Sequence, residues 1–142
     1  MIYSTGIITN ANGNILVSDT ENNRFQKFSS SGTFIDKWGN EGLTDGQFND
    51  PWGITLDDDG FVYVADTGNH RIQKFTKEGT FIMEVGGLYL YGYNEPGYLY
   101  TPRGVSVNDD GEIYVADTSN YRVEVFSSTG EYLRQWGSMG YY

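Results

Sequence analysis

The residues with the clearest chemical potential are three aspartates, each followed five positions later by an arginine. The pairs are Asp19–Arg24, Asp66–Arg71 and Asp117–Arg122. A spacing of five across a tight hairpin brings two side chains together, so one hypothesis is a ring of catalytic carboxylates. The other is a structural ion pair in which the aspartate also accepts hydrogen bonds from turn amides. Because an active site is rarely copied into every unit of a chain, we favour the structural pair.

Two acidic turns raise the question of a cation site. They are Asp-Asp-Asp-Gly at 57–60 and Asn-Asp-Asp-Gly at 108–111, and hard cations such as Ca²⁺ prefer carboxylate and carbonyl oxygens. Neither turn has the alternating ligands and terminal glutamate of an EF-type loop. The corresponding Asn-Ala-Asn-Gly turn at 10–13 contains no carboxylate. We interpret all three as turns between strands, and predict neither a metal site nor a cofactor.

The composition excludes several classes of site and partner. There is no cysteine, so thiol chemistry is excluded. With one histidine, His70, a Ser–His–Asp triad and metal sites built from several histidines are nearly excluded within one chain. Nine basic against nineteen acidic residues give a net charge of −10. Phosphate binding depends on clustered lysine and arginine, so we expect neither nucleic acid nor an anionic membrane surface as a partner.

The N-terminal segment carries no basic stretch followed by an apolar core. In addition, no run of apolar residues is long enough to cross a bilayer. We therefore expect a soluble protein with no export signal in this numbering, located in the cytoplasm or, after processing, outside the cell.

The elements that must position these residues repeat three times. The three aspartates are 47 and 51 residues apart, and glycines keep the same spacing around each of them. The glycines are Gly6, Gly13 and Gly32, then Gly53, Gly60 and Gly79, then Gly104, Gly111 and Gly130. An internal period of 40 to 50 residues indicates an architecture built from one repeated unit.

Each unit contains four predicted strands. In the second unit they lie at 53–56, 61–65, 71–75 and 80–85. The 61–65 segment is almost wholly apolar, which predicts burial on both faces, whereas the alternation in 71–75 predicts an outer strand. An aromatic content of 16% and 19 glycines suit many short strands joined by tight turns. The sequence therefore predicts an all-β β-propeller with three four-stranded blades.

Each unit resembles the NHL repeat. The pattern runs from Pro-x-Gly-Ile/Val through Asp-Gly-x-Ile/Val-Tyr-Val-Ala-Asp-Thr-x-Asn-x-Arg-Ile/Val to Gly-x-Phe and Trp-Gly. The first copy lacks the proline before Gly6 and has Ser18 in place of alanine, and the second link is long and rich in tyrosine. We assign one domain over 1–142, with blades at about 1–39, 51–86 and 102–137 and links at 40–50 and 87–101. The resemblance implies a six-bladed propeller, of which this chain supplies three blades.

Three blades leave two apolar blade faces uncovered. Two copies joined head to tail would supply six blades, so we expect a homodimer that closes a six-bladed ring, with a filament as the open alternative. The residues expected at the junction are Ile2, Tyr3, Ile7, Trp136, Tyr141 and Tyr142.

The links and the turns between second and third strands are expected to share one face, which in propellers is commonly the binding face. The candidate ligand-binding residues on it are Trp52, His70, Tyr93, Arg103 and Tyr121. Trp52 and Arg103 each lie between a proline and a glycine at the start of an innermost strand. Tyrosine gives contact area at small entropic cost. The alternative for the tyrosines of the second link is that they cover a hydrophobic blade edge.

These features favour a non-enzymatic, self-assembling scaffold that binds a protein or a glycan. The alternative is a fragment or degenerate relative of a propeller lyase or hydrolase, or an engineered half-propeller. The resemblance implies that amidating-lyase relatives hold a metal with several histidines, which His70 cannot supply even if the chain is doubled. RNA binding, known among propellers of this family, needs a basic face, which the net charge of −10 argues against.

Overall fold

The computed structural model describes residues 3–87 and 94–140, which form three four-stranded antiparallel sheets. The strands are β1 (Ser4–Thr9), β2 (Ile15–Asp19), β3 (Arg24–Phe28), β4 (Phe34–Trp38), β5 (Pro51–Leu56), β6 (Val62–Asp66), β7 (Arg71–Phe75), β8 (Phe81–Gly86), β9 (Gly104–Val107), β10 (Ile113–Asp117), β11 (Arg122–Phe126) and β12 (Tyr132–Trp136). Each sheet keeps chain order, and we name the sheets blade 1 (β1–β4), blade 2 (β5–β8) and blade 3 (β9–β12). The prediction of an all-β fold with four strands per repeat is confirmed.

Helical structure in the described ranges is limited to three short 3₁₀ turns, which join the second and third strands of each blade. They span Thr20–Asn22, Thr67–Asn69 and Thr118–Asn120. Within these ranges, no helix has the length and apolar character that crossing a membrane requires.

Blade 2 shows how the local sequence sets the strands and where the sequence-based expectation was wrong. The strand β6 is buried along its whole length, as its apolar residues predicted. The strand β7 was expected to alternate as an outer strand does, but it is the third of four strands and only Lys74 is more than slightly exposed. The alternation has another cause. The polar side chains Arg71 and Gln73 are buried because they bind the backbone of the preceding link.

Two apolar cores lie between neighbouring blades. The core between blades 1 and 2 contains Leu16, Phe25, Phe48, Ile54, Val62, Val64 and Phe75. The core between blades 2 and 3 contains Tyr63, Ala65, Ile72, Val85, Leu99, Ile113, Val115 and Phe126. A link residue completes each core: the Phe48 ring centroid lies 5.0 Å from that of Phe25 and 5.6 Å from that of Phe75. Leu99, fully buried, has the same role in the second core.

The innermost strands β1, β5 and β9 approach one another closely. A Cβ atom on Gly6 would lie 2.4 Å from the carbonyl oxygen of Trp52, and one on Gly53 would lie 2.5 Å from that of Arg103. Glycine is therefore required at both positions by the neighbouring backbone. This contact brings the starts of the innermost strands, and the side chains there, to one edge of the molecule.

The outer faces of blades 1 and 3 are uncovered in a single chain. Ile7 on blade 1 is 71% exposed and Trp136 on blade 3 is 50% exposed. Tyr3, beside the first strand, is also exposed. The other residues predicted at the junction, Ile2, Tyr141 and Tyr142, lie outside the described residues.

Candidate functional site

The candidate site lies where the links between blades meet the 3₁₀ turns, and we call this side of the molecule the top face. The backbone N–H of Gly68, in the turn of blade 2, donates to the carbonyl oxygen of Asn49 in the first link at 2.8 Å. The N–H of Ser119 in blade 3 donates likewise to the carbonyl oxygen of Tyr100 at 3.1 Å. Links and turns are thus tied together by backbone hydrogen bonds.

A residue in the left-handed conformation follows each 3₁₀ turn. These residues are Asn23, His70 and Tyr121, with φ of 52°, 58° and 56°. Asn23 Oδ1 accepts the backbone N–H of Asp50 at 2.7 Å, and His70 Nδ1 accepts that of Thr101 at 3.0 Å. Burial lowers the pKa of His70, against the pull of Asp117 and Asp66, which favours the neutral ring that this bond needs. His70 therefore holds a link in place.

The Asp–Arg pairs are buried corners of the blades. In each pair the arginine Nε lies 2.8 Å from an aspartate Oδ2, and all three aspartate side chains are fully buried. The Asp66 carboxylate also accepts hydrogen bonds from the Asn49 N–H and from the side chains of Asn69 and Gln73, at 2.8 to 2.9 Å. Burial raises the pKa of Asp66, although these bonds and Arg71 oppose the change. With four donors bound to it, this carboxylate has no open side for a substrate.

The arginines of blades 2 and 3 extend these corners to the links. Arg71 Nη2 donates to the carbonyl oxygens of Thr44 and Gln47 at 2.9 and 3.0 Å. Arg122 Nη2 makes the equivalent bond to the carbonyl oxygen of Tyr98 at 2.7 Å. We call this arrangement the link clamp. It ties each link to the corner of the blade that follows it.

Blade 1 has the same corner without the clamp. Hydrogen bonds to Asp19 from Asn22, Arg24 and Gln26 outweigh the effect of burial, which alone would raise its pKa, and the pKa of Asp19 is lowered. The Arg24 side chain is 29% exposed, against 7% for Arg71. In the described part of the chain, Arg24 has no link carbonyl as a partner.

Two predicted residues from neighbouring blades come together on the top face. The guanidinium carbon of Arg103 lies 4.3 Å from the centroid of the Trp52 ring. Trp52 Nε1 donates to Asp50 Oδ2 at 3.3 Å. Arg103 is exposed and Trp52 is half-buried. We call these three residues the Trp52 platform: a cation stacked on an aromatic ring, with a carboxylate at its edge.

Asp50 was missed by the sequence analysis. The available signal was its place directly before Pro51 and two residues before Trp52. Its backbone has a φ of 53°, and the equivalent residues Tyr3 and Thr101 share this conformation, with φ of 47° and 49°. The repeated backbone geometry, which the residue types do not reveal, directs the link towards the platform.

Tyr121, another predicted residue, lies apart from this platform. Tyr121 is 54% exposed and lines a shallow depression of about 310 Å³ beside Trp136 and Gly137. Among the described residues, no ring contact joins Tyr121 to Trp52 or Arg103. Tyr93 lies outside the described residues.

No group of three or more histidine, cysteine, aspartate or glutamate side chains is arranged to hold a metal ion in residues 3–87 and 94–140. The Asp57 carboxylate is used within its own turn, where Oδ1 accepts the N–H groups of Asp59 and Phe61 at 3.1 and 2.9 Å. Its Oδ2 accepts the hydroxyl of Tyr63 at 2.9 Å. In the next blade, Asn108 Oδ1 likewise accepts the N–H of Glu112. These acidic turns thus use their side chains to close the hairpins.

Several solved structures share the fold at low identity. A streptogramin B lyase is 21% identical with a TM-score of 0.70, over 94% of this chain and 40% of that one. A catalytically inactive histidine-to-alanine variant of virginiamycin B lyase from Staphylococcus aureus, with quinupristin, is 19% identical with a TM-score of 0.70, over 94% and 41%. Hydrazine synthase from Kuenenia stuttgartiensis is 14% identical with a TM-score of 0.73, over 97% and 36%. The chain thus spans less than half the length of these proteins.

The comparison with curated proteins found no significant match. The family model described as NHL repeat matches the chain three times, at residues 5–28, 48–75 and 99–126. These matches cover more than half of the chain and contain the first three strands of every blade, apart from Ser4 at the start of β1. The chain therefore belongs to the NHL-repeat family, and its repeats form the blades of a propeller-like fold.

Proposed function

We propose that this chain is a non-catalytic propeller module that assembles with itself and binds a protein or a glycan on its top face. The observation that carries the binding role is the Trp52 platform, in which Arg103 stacks on Trp52 at 4.3 Å. The two side chains come from adjacent innermost strands, so the surface requires the blades to pack together.

The repeated aspartates and the histidine are held in structural contacts. The three repeated aspartates are fully buried and paired with arginine. The one histidine, His70, accepts a backbone hydrogen bond from Thr101. The platform on the top face combines an aromatic ring, a cation and the carboxylate of Asp50, which suits recognition.

The platform offers complementary contacts to such a partner. A half-buried tryptophan packs against apolar side chains or the C–H face of a sugar, and tryptophan and arginine are frequent in the energetic centres of interfaces. Stacking holds the Arg103 guanidinium while leaving its N–H groups open to carboxylates or hydroxyls. Asp50 Oδ2, which accepts the Trp52 indole N–H, adds an acceptor at the edge.

The test is binding of Trp52→Ala to the oligosaccharides and peptides that the unmodified chain selects from a defined glycan array and a displayed peptide library. Loss of the platform ring should weaken binding at least about tenfold. The matched control is Asp58→Ala, in an acidic turn at the end of the hairpin away from the links. If Trp52→Ala binds normally and Asp58→Ala does not, the binding surface is on the other face.

A lyase is the second candidate, because the fold is shared with streptogramin B and virginiamycin B lyases. A histidine-to-alanine variant of the latter is described as catalytically inactive, and the present chain has one histidine to offer. Incubation with quinupristin, followed by mass spectrometry with and without added divalent cations, separates the two proposals. Turnover that disappears in His70→Asn would replace the non-catalytic proposal with a lyase.

A further inference from the structure

We infer that a second copy of this chain packs head to tail against both free faces, with blade 3 of each copy against blade 1 of the other, so that two copies close a six-bladed ring. The inference deepens the self-assembly in the proposed function by naming the partner and the residues at the junction. It rests on the interface between blades, which occurs twice within one chain. The residues that make several contacts of that interface have equivalents on the free faces, where they lack their partners among the described residues.

Residues that are buried between blades have exposed equivalents on the free faces. Ile54 on blade 2 faces blade 1 and is 9% exposed, whereas the equivalent Ile7 is 71% exposed. On the opposite face, Ala65 of blade 2 is fully buried against blade 3, whereas the equivalent Ala116 is exposed. Each free face thus carries the residue types of a buried face.

Threonine hydroxyls bridge neighbouring blades. Thr20 Oγ1 donates to the carbonyl oxygen of Pro51 at 2.8 Å, and Thr67 Oγ1 donates to that of Pro102 at 2.6 Å. The third member, Thr118, is exposed and its hydroxyl reaches only the Ala116 carbonyl oxygen in its own blade, at 3.3 Å. The repeat spacing makes Ser4 the equivalent of Pro51. In the ring, Thr118 donates to the Ser4 carbonyl oxygen of the second copy.

A neighbouring backbone carbonyl requires glycine at positions 6 and 53, but within the described part of one chain no backbone atom requires it at position 104. A Cβ atom on Gly6 or Gly53 would strike the carbonyl oxygen of the next innermost strand, at 2.4 and 2.5 Å. A Cβ atom on Gly104 would meet only the Cβ of Ala116, at 3.3 Å. Gly104 also has no left-handed backbone that would favour glycine. The Thr5 carbonyl oxygen of a second copy, placed as Trp52 is placed against Gly6, supplies the missing neighbour.

A contact between tryptophan and glycine in the inner interface also has unpaired equivalents on the two free faces. The Trp38 indole of blade 1 covers Gly79 of blade 2, 3.0 Å from the position of a Cβ there. The equivalent tryptophan, Trp136 on blade 3, is 50% exposed. The equivalent glycine, Gly32 on blade 1, has nothing within 4 Å. In the ring, Trp136 of one copy covers Gly32 of the other.

Polar groups on the two faces fit the same arrangement. Arg24 has the guanidinium of a link clamp without link carbonyls, and the segment after Trp136 of a second copy would supply them. On blade 3, Arg134 donates to both carboxylate oxygens of Glu112 at 2.8 Å and to the Tyr114 hydroxyl at 3.0 Å. This pair neutralises itself, so it does not oppose docking of a neutral, apolar face.

Symmetry favours a closed ring of two copies over an open filament. The contact joins unlike faces, and such a heterologous contact either closes into a ring or continues as a filament. In a six-bladed propeller three blades cover about half a turn. Two copies therefore close with two equivalent junctions and leave no apolar blade face exposed.

The first experiment measures the solution mass of the chain by light scattering coupled to size exclusion. We expect twice the 16.0 kDa of one chain. Ile7→Asp places a charge in the junction and should reduce the mass to one chain with unchanged β-sheet circular dichroism. The matched control is Ile82→Asp: Ile82 is 42% exposed on blade 2, which already has both neighbours, so this variant should keep the two-chain mass.

The second experiment mixes two variants, each damaged on one face. Ile7→Asp and Trp136→Asp should each be single chains, because every junction in their rings would contain a damaged face. Mixed together, they can form one undamaged junction, so a two-chain species should reappear. A self-complementary contact between like faces would show no such rescue.

The inference is overturned by a one-chain mass for the folded, unmodified protein, by a three-chain mass or a polymer, or by the absence of rescue in the mixture. Trp52→Ala lies away from both free faces and should keep the two-chain mass. Failure of top-face binding and failure of ring closure are therefore separate results.

Discussion

Blades 2 and 3 build the same Asp–Arg corner but differ two residues after the arginine, where blade 2 has Gln73 and blade 3 has Glu124. The Gln73 amide donates to Asp66 Oδ2 at 2.8 Å and to the Gln47 carbonyl oxygen at 2.7 Å. An ionised carboxylate cannot donate. Glu124 instead lies 2.9 Å from Arg122 Nη2, and its oxygens accept the Gly97 N–H at 3.2 to 3.3 Å.

This exchange gives the corner of blade 3 a dependence on pH. Burial raises the pKa of Glu124 to about 7, against the effects of Arg122 and the Gly97 N–H, and the charge of Asp117 adds to the rise. The protonated carboxyl can donate, as the Gln73 amide does. One amide-to-acid exchange in a repeated corner therefore places a carboxyl with a pKa of about 7 where blade 2 has an amide that does not titrate.

The largest expected effect comes from removing the aspartate of each corner. Asp66→Ala leaves Arg71, Gln73 and two further donors without their acceptor, and should lower the free energy of unfolding by about 3–4 kcal/mol. Asp117→Ala should lower the free energy of unfolding by about half as much at neutral pH. The loss is smaller because Arg122 keeps Glu124 as a counter-ion. Removing the Asp117 charge also removes its repulsion of the Glu124 carboxylate. Urea denaturation of both variants measures the difference, and equal losses would contradict the asymmetry.

The next effect is that of Glu124→Gln, which gives blade 3 the residue of blade 2. A raised acid pKa means that the folded state binds the proton more tightly than the unfolded state. The stabilisation contributed by protonated Glu124 is fully present below about pH 4.5, and it is lost as the pH rises towards about 7. Glu124→Gln should therefore be more stable than the unmodified chain by about 3 kcal/mol at about pH 8, with little difference at about pH 4.5.

Gln73→Glu is the reciprocal variant and should introduce the same pH dependence into blade 2. Guanidinium denaturation of both variants across this pH range provides the measurement. A gain in Glu124→Gln that is the same at both pH values would mean that Glu124 does not titrate in this range.

The smallest expected effect concerns the anchors of the links, where blade 1 has Asn23 and blade 2 has His70. Because burial lowers the pKa of His70, the unfolded chain takes up the proton first, and stability is lost as the pH falls below about 6.5. His70→Asn keeps an acceptor for the Thr101 N–H, as Asn23 does for Asp50, without titrating. The variant should differ from the unmodified chain by less than about 1 kcal/mol at about pH 8.

The pH profile of thermal unfolding tests this contrast, since the His70 contribution has the opposite sign to that of Glu124. When His70→Asn is combined with Glu124→Gln, the unfolding temperature should depend less steeply on pH below neutrality than in Glu124→Gln alone. A slope that persists in the double variant would assign the acid sensitivity to other groups.

The sequence by itself determined the repeated unit, because its signals are local. Glycine in a hairpin turn, alternation in a short strand and a spacing of five between Asp66 and Arg71 each act within a few residues. They were sufficient for three four-stranded blades and for the expectation of paired side chains across each hairpin, which the 2.8 Å contacts match.

Only the tertiary structure decided what each polar residue is bonded to. Arg71 binds carbonyl oxygens 24 and 27 residues away, and His70 accepts a hydrogen bond from a residue 31 positions later. The stack of Arg103 on Trp52 joins different blades. These contacts depend on how links cross between packed sheets, which no short-range pattern specifies. For the same reason the alternation in β7, read locally as that of an outer strand, proved to be that of a buried strand bound to a link.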